Sequence, residues 1–430
     1  MNRMIEKKPV DAPFGRPRIT SEIQEKLGQI NWEKAGPKLL GVACGLLLVG
    51  LLVAGLWPFH SPRNQVSWAA GGKGLHFGRH GIILSSGKFK AANAPAGAPC
   101  SLEIWFEPAR TAGSGTLFAF YTPENPWQFS FRQSSTDLGL RRDLRTWGFR
   151  ALSIRLYVAD IFRRGKPVFV TVTAKGGQTS LYVDGALVRT APTSVYVDEA
   201  LVRTAPEFPL SSRDFDGELV IADLPRASDS WSGLLRGLAF YDQEISPAQV
   251  LHHYQTWIEK GRPDLSENER AVALYLFDER GGRAIHNHVP SGSDLYIPDR
   301  YMVLDQVFLN PFWLAYQPTW GYWEDVLINI AGFVPFGFLF CAYFSLAGRI
   351  KRPALVTILL GFTLSLAIES LQAFLPTRDS DSTDVINNTL GTCLGVWLYF
   401  SGLWRGLFAR IWAQLAGTTA QVSASTPSRE

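Results

Sequence analysis

The sequence predicts a multidomain membrane protein in which a four-helix α transmembrane bundle carries an all-β sandwich. Residues 321–400 hold only 10 charged residues in 80, whereas short β-rich runs recur between residues 102 and 241. The chain of 430 residues is 19% charged, and its mean hydropathy of +0.02 averages an apolar part and a water-soluble part. A net charge of +4 without a long basic run argues against a nucleic-acid partner, and four cysteines exclude a disulfide scaffold.

Four apolar runs are the predicted transmembrane helices. A spanning helix needs about 20 apolar residues. The first helix is predicted over residues 38–60 and the other three within residues 323–404. The third run is long enough only if it continues through Glu369, which makes this glutamate an intramembrane charge. The first run ends in the bulky segment Leu56–Phe59, which favours an uncleaved anchor over a cleaved signal peptide.

The distribution of lysine and arginine predicts the orientation in a bacterial inner (plasma) membrane. Seven basic residues precede the first run, and the turn at residues 348–353 carries three positive charges and no acid. The loop at residues 376–384 has three aspartates against one arginine. Because basic loops stay in the cytoplasm, segments 1–37 and 405–430 are expected to be cytoplasmic. Residues 63–324 are then periplasmic or extracellular.

The exterior region is predicted to be all-β from residue 61 to 262. Ser246 followed by Pro247 predicts the start of one helix, because serine caps a helix and proline fits its first position. A connector at residues 263–322 is expected to add extra strands. The predicted strands are Leu102–Phe106, Thr116–Tyr121, Trp127–Phe131, Leu152–Tyr157, Val168–Thr173, Gly217–Ile221 and Leu234–Tyr241.

Two segments of this region resemble a known family. Pro167–Thr173 with Ser180–Gly185, and Trp231–Asp242 with Ile245–Gln249, resemble laminin-G-like (concanavalin A-like) jelly-roll domains. The resemblance implies a lectin-type fold, carbohydrate binding and, in some members, a calcium ion. The acidic residues in the turns of this region are Asp214, Asp216, Asp223 and Asp229. They show no compact calcium-ligand spacing, so they are interpreted as solvated turn residues and no metal site is assigned. Calcium binding by this domain stays an open alternative. His286 and His288 are interpreted as part of a polar turn, and a metal ion bound by them is the less favoured alternative.

Residues 179–192 are repeated almost unchanged at residues 193–206, with twelve of fourteen positions identical. The first copy keeps Asp184–Gly185, a strong hairpin signal, whereas the second has Asp198–Glu199. The expected outcome is one copy in the sheet and the other as an extra hairpin or loop.

The C-terminal helices carry a second resemblance. Trp323–Asn329 with Phe333–Gly337, and Ile368–Arg378 with Asp384–Gly391, resemble VanZ-like membrane proteins, a family named for a protein linked to teicoplanin resistance. The resemblance implies a cell-envelope membrane protein with an inserted lectin-like domain.

Polar residues within these helices form the candidate site. Asp325 and Asp384 each open a shared pattern, Asp-Val-x-x-Asn-x-x-Gly, which predicts parallel helices with an aspartate near each N-terminus and a glycine for close approach. Glu369 and Gln372 share one helix face, and Arg378 could pair with Glu369 or Asp384. The predicted site residues are Asp325, Asn329, Glu369, Gln372, Arg378, Asp384 and Asn388.

The predicted function is binding of an envelope glycan or a lipid-linked cell-wall precursor, with a link to glycopeptide resistance. The lectin-like domain and a polar pocket in the outer leaflet would carry it, with membrane lipid as a partner. The alternative is a membrane enzyme or flippase that uses Glu369, Arg378 and Asp384. No Ser–His–Asp or Cys–His set accompanies these residues, so an enzyme is the less favoured class and no catalytic residue is assigned. A purely structural role for the polar cluster stays open, and so does the oligomeric state.

Overall fold

The computed structural model describes residues 32–90, 94–95, 97–144, 152–162, 166–188, 193–197, 200–205, 208–226, 229–290, 292–315, 320–348 and 350–402. Residues 1–31 of the predicted segment 1–37 and the whole of the tail 405–430 therefore lie outside the described residues. The chain forms two compact units. We call residues 53–328 with 363–387 the sandwich unit, and residues 1–52, 329–362 and 388–430 the helical unit.

Two antiparallel sheets form the sandwich, as predicted. The first has eight strands in the order β1-β2-β15-β4-β9-β10-β11, with β16 added beside β15, and the second has ten in the order β13-β12-β8-β7-β6-β5-β14-β3-β18-β17. The eight strands of the first sheet are β1 (Val66–Trp68), β2 (Leu75–Phe77), β4 (Cys100–Pro108), β9 (Val168–Lys175), β10 (Gln178–Val183), β11 (Ala186–Val188), β15 (Gly233–Tyr241) and β16 (Ala271–Tyr275). The ten strands of the second are β3 (Ile83–Ser85), β5 (Gly113–Thr122), β6 (Asn125–Ser135), β7 (Asp137–Leu144), β8 (Leu152–Val158), β12 (Thr193–Val197), β13 (Ala200–Ala205), β14 (Glu218–Ile221), β17 (Ala284–Ile285) and β18 (Leu295–Tyr296).

The apolar core fills the space between the two sheets. Its aromatic centre comprises Phe106, Phe118, Phe120, Phe131 and Phe240, all fully buried, with ring centroids 5.2 to 6.4 Å apart in the contacting pairs. These rings come from alternate positions of strands in both sheets, which is the packing that period-two patterning predicts.

Helix α2 (Pro247–Lys260) packs on the eight-stranded sheet, on the face away from this core. It starts as the sequence predicts, because the Ser246 hydroxyl accepts a hydrogen bond from the backbone N–H of Gln249. Trp257 is fully buried against Gly237 of β15, where any larger residue would collide with the indole ring.

The second copy of the duplicated segment forms the extra hairpin that the sequence suggested, and this hairpin also extends a sheet. The first copy forms the β10–β11 hairpin at the edge of the eight-stranded sheet, with positive φ at Asp184 and Gly185. The second copy forms the β12–β13 hairpin, and β12 pairs with β8 of the other sheet. Both copies therefore extend a sheet, because each one is a strand pair that can add to a free edge.

Four long helices occupy the predicted membrane positions: α1 (Trp32–Leu56), α4 (Trp320–Ala347), α5 (Pro353–Gln372) and α6 (Ser382–Ser401). A short helix, α3 (Phe312–Ala315), precedes α4, and one 3-10 turn covers Ser212–Phe215. Within the described ranges, three helices are long and apolar enough to cross a membrane, namely Pro37–Leu56, Trp320–Ala347 and Pro353–Gln372. Helix α6 has a spanning length but carries more polar residues.

Helices α4 and α6 run parallel and in close contact within the helical unit. Gly391 lies against the backbone of Ile330, and Gly395 lies one turn further along, against the backbone of Val334. Gly332, which matches Gly391 in the shared pattern, faces open space. The predicted close approach is therefore confirmed for Gly391 and wrong for Gly332, because α4 contacts α6 through Gly337 and not through Gly332.

Candidate functional site

The C-terminal end of α5 buries two polar side chains. Glu369 is 1% exposed and Gln372 is 8% exposed, and they are the charged and amide side chains of a helix that otherwise carries only apolar and hydroxyl residues. They lie three residues apart and so share one helix face, as the sequence predicts. Burial of a carboxylate costs several kcal/mol, about 3 or more, unless hydrogen bonds and charges compensate it. The contacts of Glu369 therefore define this part of the molecule.

The turn that follows α5 folds back over Glu369. Its carboxylate Oε2 accepts a hydrogen bond from the backbone N–H of Asp381 at 2.8 Å. Its backbone carbonyl accepts a second from the hydroxyl of Ser380 at 2.9 Å. We call residues 373–381 the polar turn. Glu369 thus fixes the polar turn against the end of its own helix.

The connector from the sandwich completes the enclosure. Asn310 donates its backbone N–H to the carbonyl of Ser380 at 2.7 Å and accepts from the N–H of Ser382 at 3.0 Å. The Gln306 amide donates to the carbonyl of Leu375 at 2.5 Å. Burial raises the pKa of Asp381 above its usual value, although a hydrogen bond from the Asn310 side chain acts in the opposite direction. Sequence reasoning missed Gln306 and Asn310, since no periodicity marks a contact made across more than sixty residues.

Helix α1 ends at the same place. Gln372 donates its amide to the carbonyl of Gly55 at 2.9 Å. Arg378 donates from Nε and Nη2 to the carbonyl of Trp57, at 3.1 and 2.9 Å. The last carbonyls of a helix have no partner within it, and a cation is favoured there. The structure directs these Arg378 bonds to that helix end, whereas the sequence suggested Glu369 or Asp384 as its partner.

The remaining predicted site residues, on helices α4 and α6, differ in their exposure and in the compact unit to which they belong. Asp384 lies in the first turn of α6 and is half-buried, as expected. Asp325 is exposed and lies in the second turn of α4, because that helix begins at Trp320, before the point that the sequence suggested. Asn329 and Asn388 belong to the helical unit. The sandwich unit therefore brings together Glu369, Gln372, Arg378 and the start of α6.

Several buried polar atoms near these helix ends have no hydrogen-bond partner among the described residues. They are Gln372 Oε1, Thr377 Oγ1, Asp381 Oδ1, Thr383 Oγ1 and Asn387 Nδ2. A buried polar atom without a partner costs about 1–3 kcal/mol. Such atoms are the groups that a polar ligand or ordered water would satisfy.

Exposed aromatic side chains of the sandwich unit cluster in the segments that adjoin the polar turn. Trp57 and Phe59 follow α1, Phe374 belongs to the turn itself, and Phe308 lies in the connector. Each is at least half exposed. Tryptophan and other amphipathic rings are enriched where helices meet the lipid headgroups. Among these four residues, Trp57 is of this type.

Two of the four turn acids of the sandwich, Asp214 and Asp223, are not the solvated groups that the sequence suggested, whereas Asp216 and Asp229 are partly exposed. Asp214 is buried, where it pairs with Arg142 at 2.6 Å. Asp223 is also buried and accepts hydrogen bonds from Ser230 and Tyr301, both at 2.6 Å. Burial raises the pKa of both carboxyl groups, against the hydrogen bonds that they accept. Within the part of the chain that the structure describes, no three His, Cys, Asp or Glu residues are grouped to hold a metal ion.

Two family models match this architecture. Residues 284–405 match VanZ/LLP1, and residues 85–251 match the Concanavalin A-like lectin/glucanases superfamily. Protein VanZ of Enterococcus faecium is 35% identical over 79 residues, which are 18% of this chain. The chain therefore spans 46% of the length of that relative.

Solved structures resemble the chain weakly. A proposed carbohydrate-binding protein of Bacteroides ovatus is 9% identical with a TM-score of 0.33, over 57% of this chain and 62% of that one. The Ruminococcus gnavus IT-sialidase CBM40 is 14% identical with a TM-score of 0.28, over 42% and 95% of the two chains. The botulinum neurotoxin serotype C1 binding domain is 14% identical with a TM-score of 0.31, over 45% and 46%. Likenesses this weak assign no shared ligand. From the two family models, the chain combines a C-terminal VanZ/LLP1-type segment with a concanavalin A-like lectin-type segment.

Proposed function

We propose that this chain is an integral cell-envelope membrane protein that binds a glycan-bearing, lipid-linked cell-wall precursor. The sandwich would hold the saccharide, and the polar turn with the end of α5 would hold the head of the lipid. The observation that carries the proposal is a set of buried polar atoms at the polar turn and the adjoining helix ends that have no hydrogen-bond partner among the described residues. They belong to the same compact unit as the lectin-like sandwich. A single compact unit could hold both ends of one amphipathic ligand without an ordering cost between two bodies.

The proposed topology places both termini in the cytoplasm and residues 63–324 outside, with α6 as the fourth span. Three apolar helices and the VanZ/LLP1 match support a membrane protein. The exposed aromatic residues near the polar turn then lie at headgroup depth in the outer leaflet. A polar cluster at that depth meets phosphate and sugar groups but not acyl chains.

The test is binding of a lipid-linked disaccharide precursor to the full-length protein in nanodiscs. We expect Glu369→Gln to weaken binding about 10- to 100-fold, since a hydrogen bond to a charged group contributes about 1.5–3 kcal/mol. The substitution preserves the fold, because the amide oxygen can still accept from Asp381. Glu324→Gln is the matched control, since Glu324 is an exposed acid of the same unit.

Two further measurements separate the alternatives. If the protein moves or cleaves the precursor and Glu369→Gln abolishes this at unchanged affinity, the chain is a flippase or enzyme. Unchanged affinity in both variants, with no turnover, contradicts the proposed pocket and favours a structural role for Glu369.

The link to glycopeptide resistance is part of the proposal and rests on the likeness to protein VanZ. Expression in a susceptible host should raise the teicoplanin concentration that stops growth, and Glu369→Gln should cancel the increase at equal protein level. Growth inhibition at the same concentration with and without the intact protein would contradict this link.

A further inference from the structure

Two exposed arginines lie directly opposite one another in the segments that join the sandwich to the membrane helices. Arg63 belongs to the segment that leaves α1, and Arg300 belongs to the connector that returns to α4. The two residues form an isolated antiparallel bridge. We call them the arginine pair.

The backbone geometry of this bridge brings the two side chains close together. Its hydrogen bonds are made by the residues that flank the arginines. The Tyr301 N–H donates to the Pro62 carbonyl at 3.0 Å, and the Asn64 N–H donates to the Asp299 carbonyl at 3.2 Å. In an antiparallel pair of this type, the Cα atoms are about 4.5 Å apart and the side chains lie on one face. The two guanidinium groups therefore start from neighbouring points on the same face.

The charge of the arginine pair is not balanced by an acid of the protein. In the described part of the chain, neither guanidinium lies within ion-pair distance of a carboxylate, and Asp299, next to Arg300, pairs with Arg283 instead. Like charges directly opposite one another on a sheet destabilise the pair. A bound anion offsets this repulsion, and guanidinium groups bind phosphate oxygens in pairs.

Short chain segments hold the arginine pair near the end of the first apolar helix. The chain turns at the end of α1, where the Phe59 N–H donates to the Leu56 carbonyl at 2.6 Å. Ser61 follows two residues later, about 7 Å at most along an extended chain. Its carbonyl accepts a hydrogen bond from Arg300 Nη1 at 2.9 Å. Because α1 is apolar enough to span a membrane, both long arginine side chains lie within reach of the lipid headgroups.

The side chains beside the arginine pair favour a lipid over a soluble anion. Trp57 and Phe59 are 62% and 50% exposed, in the turn between α1 and Arg63. Exposed aromatic rings beside basic side chains are typical of surfaces that insert into the boundary between headgroups and acyl chains of anionic membranes. A soluble acidic glycan would contact the arginines and leave these rings in water, whereas an anionic lipid contacts both.

We propose that Arg63 and Arg300 bind the phosphate of an anionic phospholipid at the membrane surface, with Trp57 and Phe59 against its acyl chains. The inference goes beyond the proposed function and does not rest on it, because this lipid is a component of the membrane and not the precursor.

The test is native mass spectrometry of the full-length protein in detergent, titrated with phosphatidylglycerol, with phosphatidylcholine of the same acyl chains and with inorganic phosphate. We expect phosphatidylglycerol to bind about tenfold or more tightly than phosphatidylcholine, because the choline cation cancels the charge that attracts the arginines. Equal binding of the two lipids overturns the proposal. Inorganic phosphate that binds as tightly as phosphatidylglycerol also overturns it, since the ligand is then a soluble anion.

The variants locate the site. Arg63→Gln and Arg300→Gln should each weaken phosphatidylglycerol binding about fivefold, and the double variant about 25-fold, because each basic side chain near an anionic lipid surface contributes about that factor. Added salt should reduce these differences from the natural protein. Arg262→Gln is the control, since Arg262 is an exposed arginine of the same unit and its loss changes the net charge equally.

Arg63→Gln carries the test even if Arg300→Gln unfolds. Arg300→Gln loses the bond to the Ser61 carbonyl, whereas the Arg63 side chain makes no hydrogen bond to the rest of the described chain. Unchanged affinity in Arg63→Gln, or an equal loss in Arg262→Gln, overturns the assignment.

The same variants separate this inference from the proposed function. Their affinity for the lipid-linked disaccharide precursor is measured in nanodiscs of neutral lipid. Loss of phosphatidylglycerol binding at unchanged precursor affinity supports a separate phospholipid site. Loss of both affinities also supports the phospholipid site, which the precursor then shares. Loss of precursor affinity alone assigns the arginine pair to the phosphate of the precursor and overturns the phospholipid site.

Discussion

A buried chain of charged groups ties α2 to the sandwich, and replacing His253 with glutamine tests its contribution. His253 Nδ1 lies 3.0 Å from Glu103 of β4, and its Nε2 lies 3.1 Å from Glu269. All three side chains are at most 2% exposed. Glu103 also accepts hydrogen bonds from Tyr241 at 2.8 Å and from Trp257 at 3.1 Å.

The expected loss follows from these contacts. A glutamine amide can donate to one of the two carboxylates but carries no charge, so the two acids remain buried without a cation between them. Breaking a buried ion pair by removing one partner costs about 3–5 kcal/mol. For a unit of this size, each kcal/mol lowers the unfolding midpoint by about 2–4 °C. We therefore expect His253→Gln to lower the midpoint by roughly 6–20 °C.

The same contacts predict a dependence on pH. Burial alone would lower the pKa of His253, but hydrogen bonds and charges from Glu103 and Glu269 outweigh it, so the pKa lies above its usual value. A histidine whose pKa is higher in the folded state stabilises the fold fully below its unfolded pKa. This contribution declines as the pH rises through the folded pKa. The natural protein should lose stability over that interval, and His253→Gln should lack this dependence.

Tryptophan fluorescence during thermal unfolding, from about pH 5.5 to about pH 8.5, measures both effects. His252→Gln is the control, since His252 is the adjacent residue on the same helix and is exposed. The reasoning is refuted if the two variants have the same midpoint, or if His253→Gln keeps the pH dependence of the natural protein.

Two further predictions concern the helices. Gly391→Ala should destabilise the detergent-solubilised protein by about 1–3 kcal/mol or more, since the added Cβ would collide with the backbone of Ile330. Gly332→Ala is the control and should be neutral, because no described atom lies within 4 Å of the added Cβ. Equal thermal midpoints of the two variants would contradict this helix packing. Arg378→Gln should lower the free energy of unfolding by about 1 kcal/mol, since Arg378 donates to the Trp57 carbonyl at the end of α1. Protease cleavage after Trp57 should then become faster. An unchanged cleavage rate would contradict this role of Arg378.

Alternation of apolar and polar residues predicted the sandwich because its strands bury one face. Every strand predicted between Leu102 and Tyr241 is present in the structure. Strand β7 was missed, since Gly139 and two adjacent arginines resemble a loop in sequence. Its pairing with β6 and β8 supplies the stability that its own composition lacks.

The site was predictable only in its local part. Glu369 and Gln372 stand out because polar residues are costly in an apolar helix. The partners of the polar turn could not be found in the same way, because Gln306 and Asn310 approach it through the tertiary fold. Arg378 was expected to seek an acid, but unpaired carbonyls at a helix end attract a cation as well.

The hydrogen bonds of the polar turn have a structural role, whereas Gln372, which lies next to this turn, is suited to a binding role. The sandwich is inserted between α1 and α4, and the polar turn contacts both ends of the insertion. Arg378 binds the segment that leaves α1, and Leu375 accepts from Gln306 of the segment that returns to α4. Substitutions at these contacts should therefore loosen the attachment of the sandwich. Gln372 Oε1 is instead suited to bind a ligand, because this oxygen is buried and has no hydrogen-bond partner in the part of the chain that the structure describes. The amide nitrogen of Gln372 already donates to the carbonyl of Gly55. A ligand that donates to this oxygen would remove a cost that the folded protein otherwise carries, so Gln372 is where binding and stability should respond in opposite directions.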